Sequence, residues 1–88
     1  MEGRRLILMD GTTIENGEAG LAQGFLWLWF SGMTLAEVAS TFLDPAKTGR
    51  IVFQYGEMQD VFEGFTECRE MGIDNDGRVS VCMVKGES

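Results

Sequence analysis

Histidine is absent from this chain, proline occurs once and cysteine twice. Without histidine there is no imidazole to act as a general base, to activate a serine or a thiol, or to complete a zinc site. Cys68 and Cys82 do not form a CxxC pair, and two cysteines in a chain without secretory features are expected to remain thiols. Basic residues are also few, with seven Lys and Arg against fourteen Asp and Glu and a formal net charge of −7. That balance keeps a small protein soluble and disfavours phosphate backbones, which are gripped by clustered cations. The longest apolar run, Phe25 to Phe30, is too short to cross a bilayer, and no stretch has the apolar core of a secretory signal. The expectations are no nucleic-acid partner, no membrane association and a cytoplasmic location.

The 88 residues are 44% hydrophobic, enough for one domain with its own core. Arg5 to Met9 reads as a short strand, Asp10-Gly11 as a two-residue hairpin turn with both residues at positive φ, and Thr12 to Glu15 as its return strand. Asn16 to Gly24 holds three glycines and reads as a loop. It has neither a GxGxxG nor a GK[ST] pattern and no base to meet a phosphate, so a nucleotide loop is rejected.

Phe25-Leu26-Trp27-Leu28-Trp29-Phe30 reads as a strand apolar on both faces. Phe25, Trp27 and Trp29 share one face, and Leu26, Leu28 and Phe30 the other. Either both faces pack, one on the helix and one on a partner subunit, or the aromatic face is a platform for a ligand. Two tryptophans are rarely hidden completely in so small a domain.

The sharpest local signal is Thr34-Leu35-Ala36-Glu37. Thr34 as N-cap and Glu37 three residues on form a capping box, with Met33 and Val38 as the staple. Leu35, Val38, Ala39 and Phe42 line one face, and Asp44-Pro45 stops the helix, which is placed over about 34–44. Ala46 to Gly49 reads as a turn. Strands follow at Arg50 to Tyr55, Met58 to Glu63, Phe65 to Ile73 and Val79 to Val84, with Gly64 as a bulge. A three-residue loop Asn75-Asp76-Gly77 sets Ile73 opposite Val79, Met71 opposite Val81 and Arg69 opposite Met83. Cys68 and Cys82 then become diagonal neighbours on the other face. Residues 1–4 and 85–88 are expected to fray. The expected fold is α+β: one domain over 1–88, an antiparallel sheet of about six strands with one central helix, and similar hairpin units on either side of it.

No catalytic, cofactor or metal site emerges. Asp74-Asn75-Asp76-Gly77 looks like part of a calcium loop, but with Gly77 sixth the end ligands fall on Gly72 and Met83, and both positions need acids. The thiols have acidic neighbours, which oppose activation. From Glu57 to Asp76 seven acids are opposed by Arg69 alone. They form either a solvated sheet face or a surface for a basic partner.

Several segments in order resemble small structural proteins from the tail region of phages and prophages of Gram-positive bacteria. They are the Asp10-Gly11-Thr12 hairpin, Met33-Thr34-Leu35-Ala36-Glu37 opening a helix that ends Phe42-Leu43-Asp44-Pro45, Lys47-Thr48-Gly49-Arg50-Ile51-Val52-Phe53, Phe62-Glu63-Gly64-Phe65-Thr66, and Asp76-Gly77-Arg78-Val79-Ser80-Val81. The resemblance implies an assembly component without a cofactor, in the virion if phage-encoded, and carries no functional residues with it. The expected function is therefore non-catalytic protein–protein interaction, with self-association. The alternative is an acidic regulator or inhibitor occupying a basic site on a partner. The candidate interface is Phe25, Trp27, Trp29, Glu63, Glu67 and Glu70.

Overall fold

The computed structural model describes residues 3–86. The chain forms eight strands and two short helices: β1 (Arg4–Leu8), β2 (Thr13–Glu15), β3 (Gly17–Ala22), β4 (Phe25–Phe30), α1 (Leu35–Phe42), α2 (Pro45–Thr48), β5 (Arg50–Tyr55), β6 (Met58–Glu63), β7 (Glu67–Ile73) and β8 (Val79–Val84). The class is α+β, but the expected single sheet is two antiparallel four-stranded sheets, ordered β2-β1-β5-β6 and β3-β4-β8-β7. Two hairpins precede the helices and two follow them. In each pair the first hairpin joins one sheet and the second joins the other.

One extra strand, β3, comes from the segment expected to be a loop, and another arises because the chain changes sheets at Gly64. Asn16, at φ 62, ends β2 and sends the chain into the second sheet as β3, despite its glycines. Gln23 and Gly24 carry φ values of 56 and 84 between the paired Ala22 and Phe25, a two-residue turn of the I′ kind that closes β3 onto β4. The Asp10-Gly11 hairpin does form, but as a three-residue loop over 9–11: Leu8 N–H donates to Thr12 C=O at 2.8 Å and only Gly11 takes positive φ. Gly64 is not a bulge. At φ 86 it turns the chain out of β6, and Phe65 buries on the way to β7 in the other sheet.

Both inner faces and α1 enclose one core. Leu6, Leu8, Ile51 and Phe53 come from the first sheet, Leu26, Leu28, Phe30, Val79, Val81 and Met83 from the second, and Val38 and Phe42 from the helix. The helix is shorter than expected and begins as expected. Thr34 Oγ1 accepts from Glu37 N–H at 3.1 Å and Glu37 Oε1 accepts from Thr34 N–H at 2.9 Å. Leu35, assigned to the apolar face, is exposed because α1 turns only Val38 and Phe42 fully inward. Asp44 does not simply stop the chain: its carboxylate accepts from Ala46 N–H at 3.0 Å and starts α2 where a turn was expected.

The termini are tied closer in than expected. Arg4 belongs to β1, Gly86 N–H donates to Gly64 C=O at 3.0 Å, and the Lys85 ammonium sits 5.6 Å from the Phe65 ring centre. The rest of the expected frayed tails, 1–2 and 87–88, lies outside the described residues.

At Gly17 the two sheets press close together. A Cβ there would stand 2.9 Å from Leu6 Cδ1 and 3.4 Å from Phe30 Cδ1, and both neighbours are fully enclosed. Gly17→Val is therefore expected to cost about 1–3 kcal/mol by overpacking. Urea unfolding should show a lower midpoint at unchanged slope, and an unmoved midpoint would show that Leu6 has room to yield.

Candidate functional site

The pairing registers decide which candidate residues meet. In the second sheet Glu18 pairs with Trp29 and Gly20 with Trp27. On the other side Trp27 pairs with Cys82 and Trp29 with Ser80. Directly paired residues share a face, so Phe25, Trp27 and Trp29 form a row along the outer face, with small residues on both sides of Trp27. All three are partly exposed, while Leu26, Leu28 and Phe30 are buried. The inner face packs on the core, and among the described residues no element of this chain covers the outer face, which is the face where a partner subunit or a ligand was expected.

Next to it, β7 is displaced by a bulge. Ile73 pairs with Val79 and Met71 with Val81, but between Glu70 and Cys68 the register shifts, so that Cys68 pairs with Met83 and Glu67 with Val84. Arg69, expected opposite Met83, is the residue left over. It turns outward, with its guanidinium 4.9 Å from the Phe25 ring centre, a cation–π distance. The bulge also separates the thiols, Cys68 packing on the core and Cys82 lying on the outer face. Both are free, and the diagonal pairing expected of them does not occur.

Glu67 and Glu70 join the aromatic face by this register, Glu70 directly opposite Cys82. Glu63 does not: it ends β6 in the other sheet, paired with Arg50. The acidic run is scattered rather than a single face. Asp60 accepts from the Tyr55 hydroxyl at 3.0 Å, and Asp74 and Asp76 both pair with Arg78 in the last turn.

One further feature has no local signal in the sequence, a cleft of about 220 Å³ beside β3. Phe53 and Tyr55, with ring centres 4.8 Å apart, line it from the first sheet together with Arg4. Glu18, Ala19 and Trp29 line it from the second. Arg4 and Glu18 form an ion pair across the two sheets at its rim. The cleft is smaller than the sites that enclose drug-sized ligands and is of a size for one side chain. Trp29 belongs both to it and to the aromatic row.

Three groups titrate late for physical reasons. Burial first, and the neighbouring Cys82 second, push the Cys68 thiol up. Burial, then Glu70, push Cys82 up against a smaller opposing effect of Arg69. The hydrogen bond to Asp60, then burial, raises the Tyr55 hydroxyl. Each group ionises more readily in the unfolded chain, so the folded state binds more protons through the alkaline range and stability falls as pH rises there. The unfolding midpoint should be highest below the ordinary thiol range and decline above it, and thiol reagents should react slowly near neutrality. A midpoint that rises with alkali would contradict this assignment.

Among the described residues no group of three or more Cys, Asp or Glu is placed to hold a metal ion, and no helix is long and apolar enough to cross a membrane. No family model, curated protein or solved structure matches the chain.

Proposed function

We propose that this chain is a non-catalytic protein–protein interaction module, a structural or assembly component of phage or prophage origin, that binds through the outer face of the β3-β4-β8-β7 sheet and also associates with itself. One observation carries the reading: Phe25, Trp27 and Trp29 lie side by side, partly exposed, on a sheet face that no other element covers among the described residues. Partly exposed aromatic side chains are characteristic of binding surfaces, where they bring large contact area at small entropic cost. Glu18 borders the row on one side and Glu67 and Glu70 on the other. The surface therefore favours a partner segment that combines apolar residues with Lys or Arg, and the cleft ending at Trp29 suits one anchoring side chain of that segment.

Panning a random peptide display library on the immobilised protein tests this. Enriched peptides should pair aliphatic or aromatic residues with Lys or Arg, shield tryptophan fluorescence from iodide, and lose binding to the Trp27→Ala variant. Enrichment indifferent to Trp27, or none, would overturn the reading. The alternative of an acidic regulator on a basic site is supported by Glu67 and Glu70 sharing this face. It expects Glu67→Gln with Glu70→Gln to weaken binding more than Trp27→Ala does, with a steep salt dependence.

A further inference from the structure

We infer that the chain pairs with a second copy of itself along β6, Val61 lying opposite Val61 of the other copy on a two-fold axis. This deepens the self-association proposed above and rests on it. Each sheet has two edges, and three of the four are blunted. Strand β2 has three residues, β3 carries Gly17 and Gly20 and lies against β1, and β7 is broken by the bulge and carries Glu67, Arg69 and Glu70. Strand β6 is the least protected of the four, six residues without proline, glycine, lysine or a bulge, with Asp60 and Glu63 as its only charges. Five of its six residues are exposed, Val61 to 49% and Met58 to 61%.

The ladder on its inner side shows which backbone groups are free. Gly64 N–H donates to Gly49 C=O at 3.0 Å, one step beyond the pair Arg50 and Glu63. Bonded and non-bonded pairs alternate in an antiparallel ladder. Phe62, Asp60 and Met58 therefore direct their N–H and C=O groups to β5, and Gln59, Val61 and Glu63 direct theirs outward. An antiparallel second copy with Val61 on Val61 sets Gln59 on Glu63 and Glu63 on Gln59. All three outward residues then exchange hydrogen bonds, and no two acids face each other directly. A shift of two residues one way sets Asp60 on Asp60, and a shift the other way sets Val61 on Glu63. Either shift leaves outward groups unpaired.

The side chains agree with this register. Ile7 pairs with Val52 and Val52 with Val61, so an aliphatic row crosses the outer face of the first sheet and stops at the half-exposed Val61. The two-fold continues the row through Val61 of the second copy to its Val52 and Ile7. Each copy carries −7, so added salt should strengthen the pairing by screening repulsion.

Sedimentation equilibrium up to several hundred micromolar, on the wild type and variants, tests this. The wild type should be a dimer that tightens with salt. Val61→Pro removes a donor that points away from β5, so the monomer tolerates it. It should weaken the dimer about tenfold or more, while Trp27→Ala leaves the dimer unchanged. Val61→Cys should cross-link readily, because directly paired Cα atoms about 5.5 Å apart fall within disulfide range. Gln59→Cys should not, since its counterpart lies about 13 Å along the strand. If Val61→Pro unfolds the monomer, Val61→Lys and the two cysteine variants decide the matter. A dimer indifferent to residue 61 overturns the β6 pairing and leaves self-association standing. A strict monomer overturns both.

Discussion

Replacing Phe42 with alanine is expected to lower stability by about 3–5 kcal/mol, the cost of removing a large aromatic side chain from a closed core. Phe42 is fully buried, and its ring centre lies 5.0 Å from that of Phe30, at an interplanar angle of 43°. The tilted pairing adds about 0.5–1.5 kcal/mol beyond the area buried. Domains as a class are stable by only about 5–15 kcal/mol, and small ones bury the least surface. The loss therefore removes much of what holds the fold. The melting temperature should fall by about 12 °C or more, at about 4–8 °C per kcal/mol for a domain of this size.

The effect should be strongest in the helix. Only Val38 and Phe42 of α1 are buried, and eight residues do not stay helical in water without docking. Amide exchange in α1 should therefore rise before that of β4 or β8 does. Leu43→Ala, one residue further on and 64% exposed, is the matched control and should change little. A Phe42→Ala protein that melts within a few degrees of the wild type would mean that α1 is held by something other than its apolar face.

What the sequence announced and what it hid differ by the range of the physics involved. The α1 N-terminus was legible because a capping box is closed within four residues, and the last hairpin because Gly77, at φ 82, satisfies a loop that is equally local. The alternation in β4 was legible too, but whether its aromatic face is covered depends on whether any other element reaches it, which no window of residues records. Strand β3 was hidden because three glycines in and around it read as a loop, whereas Gly17 is there for the close approach of Leu6 and Phe30. The division into two sheets depends on Asn16 and Gly64, single residues that redirect the chain. The bulge at Arg69 gives no local sign, yet it determines that the thiols part and that Glu67 joins Glu70 on the face of Trp27. The cleft beside Trp29 brings together β1, β3, β4 and β5, and no local reading assembles four strands.

Trp27→Ala should separate binding from folding. Its side chain lies on the outer face, flanked by Gly20 and Cys82. Cys82 is fully buried although it faces outward, so large side chains on that face roof it, and Trp27 and Glu70 lie directly opposite it on its two sides. Truncation should therefore expose the thiol and speed its reaction with thiol reagents, at a cost in stability well below that of Phe42→Ala. Binding of the peptides selected against the wild-type face should fall much further, by about thirtyfold or more, since a central interface tryptophan commonly accounts for about 2 kcal/mol or more and about 1.4 kcal/mol is tenfold. Trp29→Ala should behave similarly for peptides with an anchor in the cleft, because Trp29 forms one of its walls. Leu21→Ala, on β3 and 55% exposed, lies on the opposite side of the same strand pair by register with Leu26 and should leave binding intact. If Trp27→Ala loses stability as severely as Phe42→Ala, or if peptides bind it as before, then Trp27 is a piece of core at the surface and the aromatic row is not the binding face.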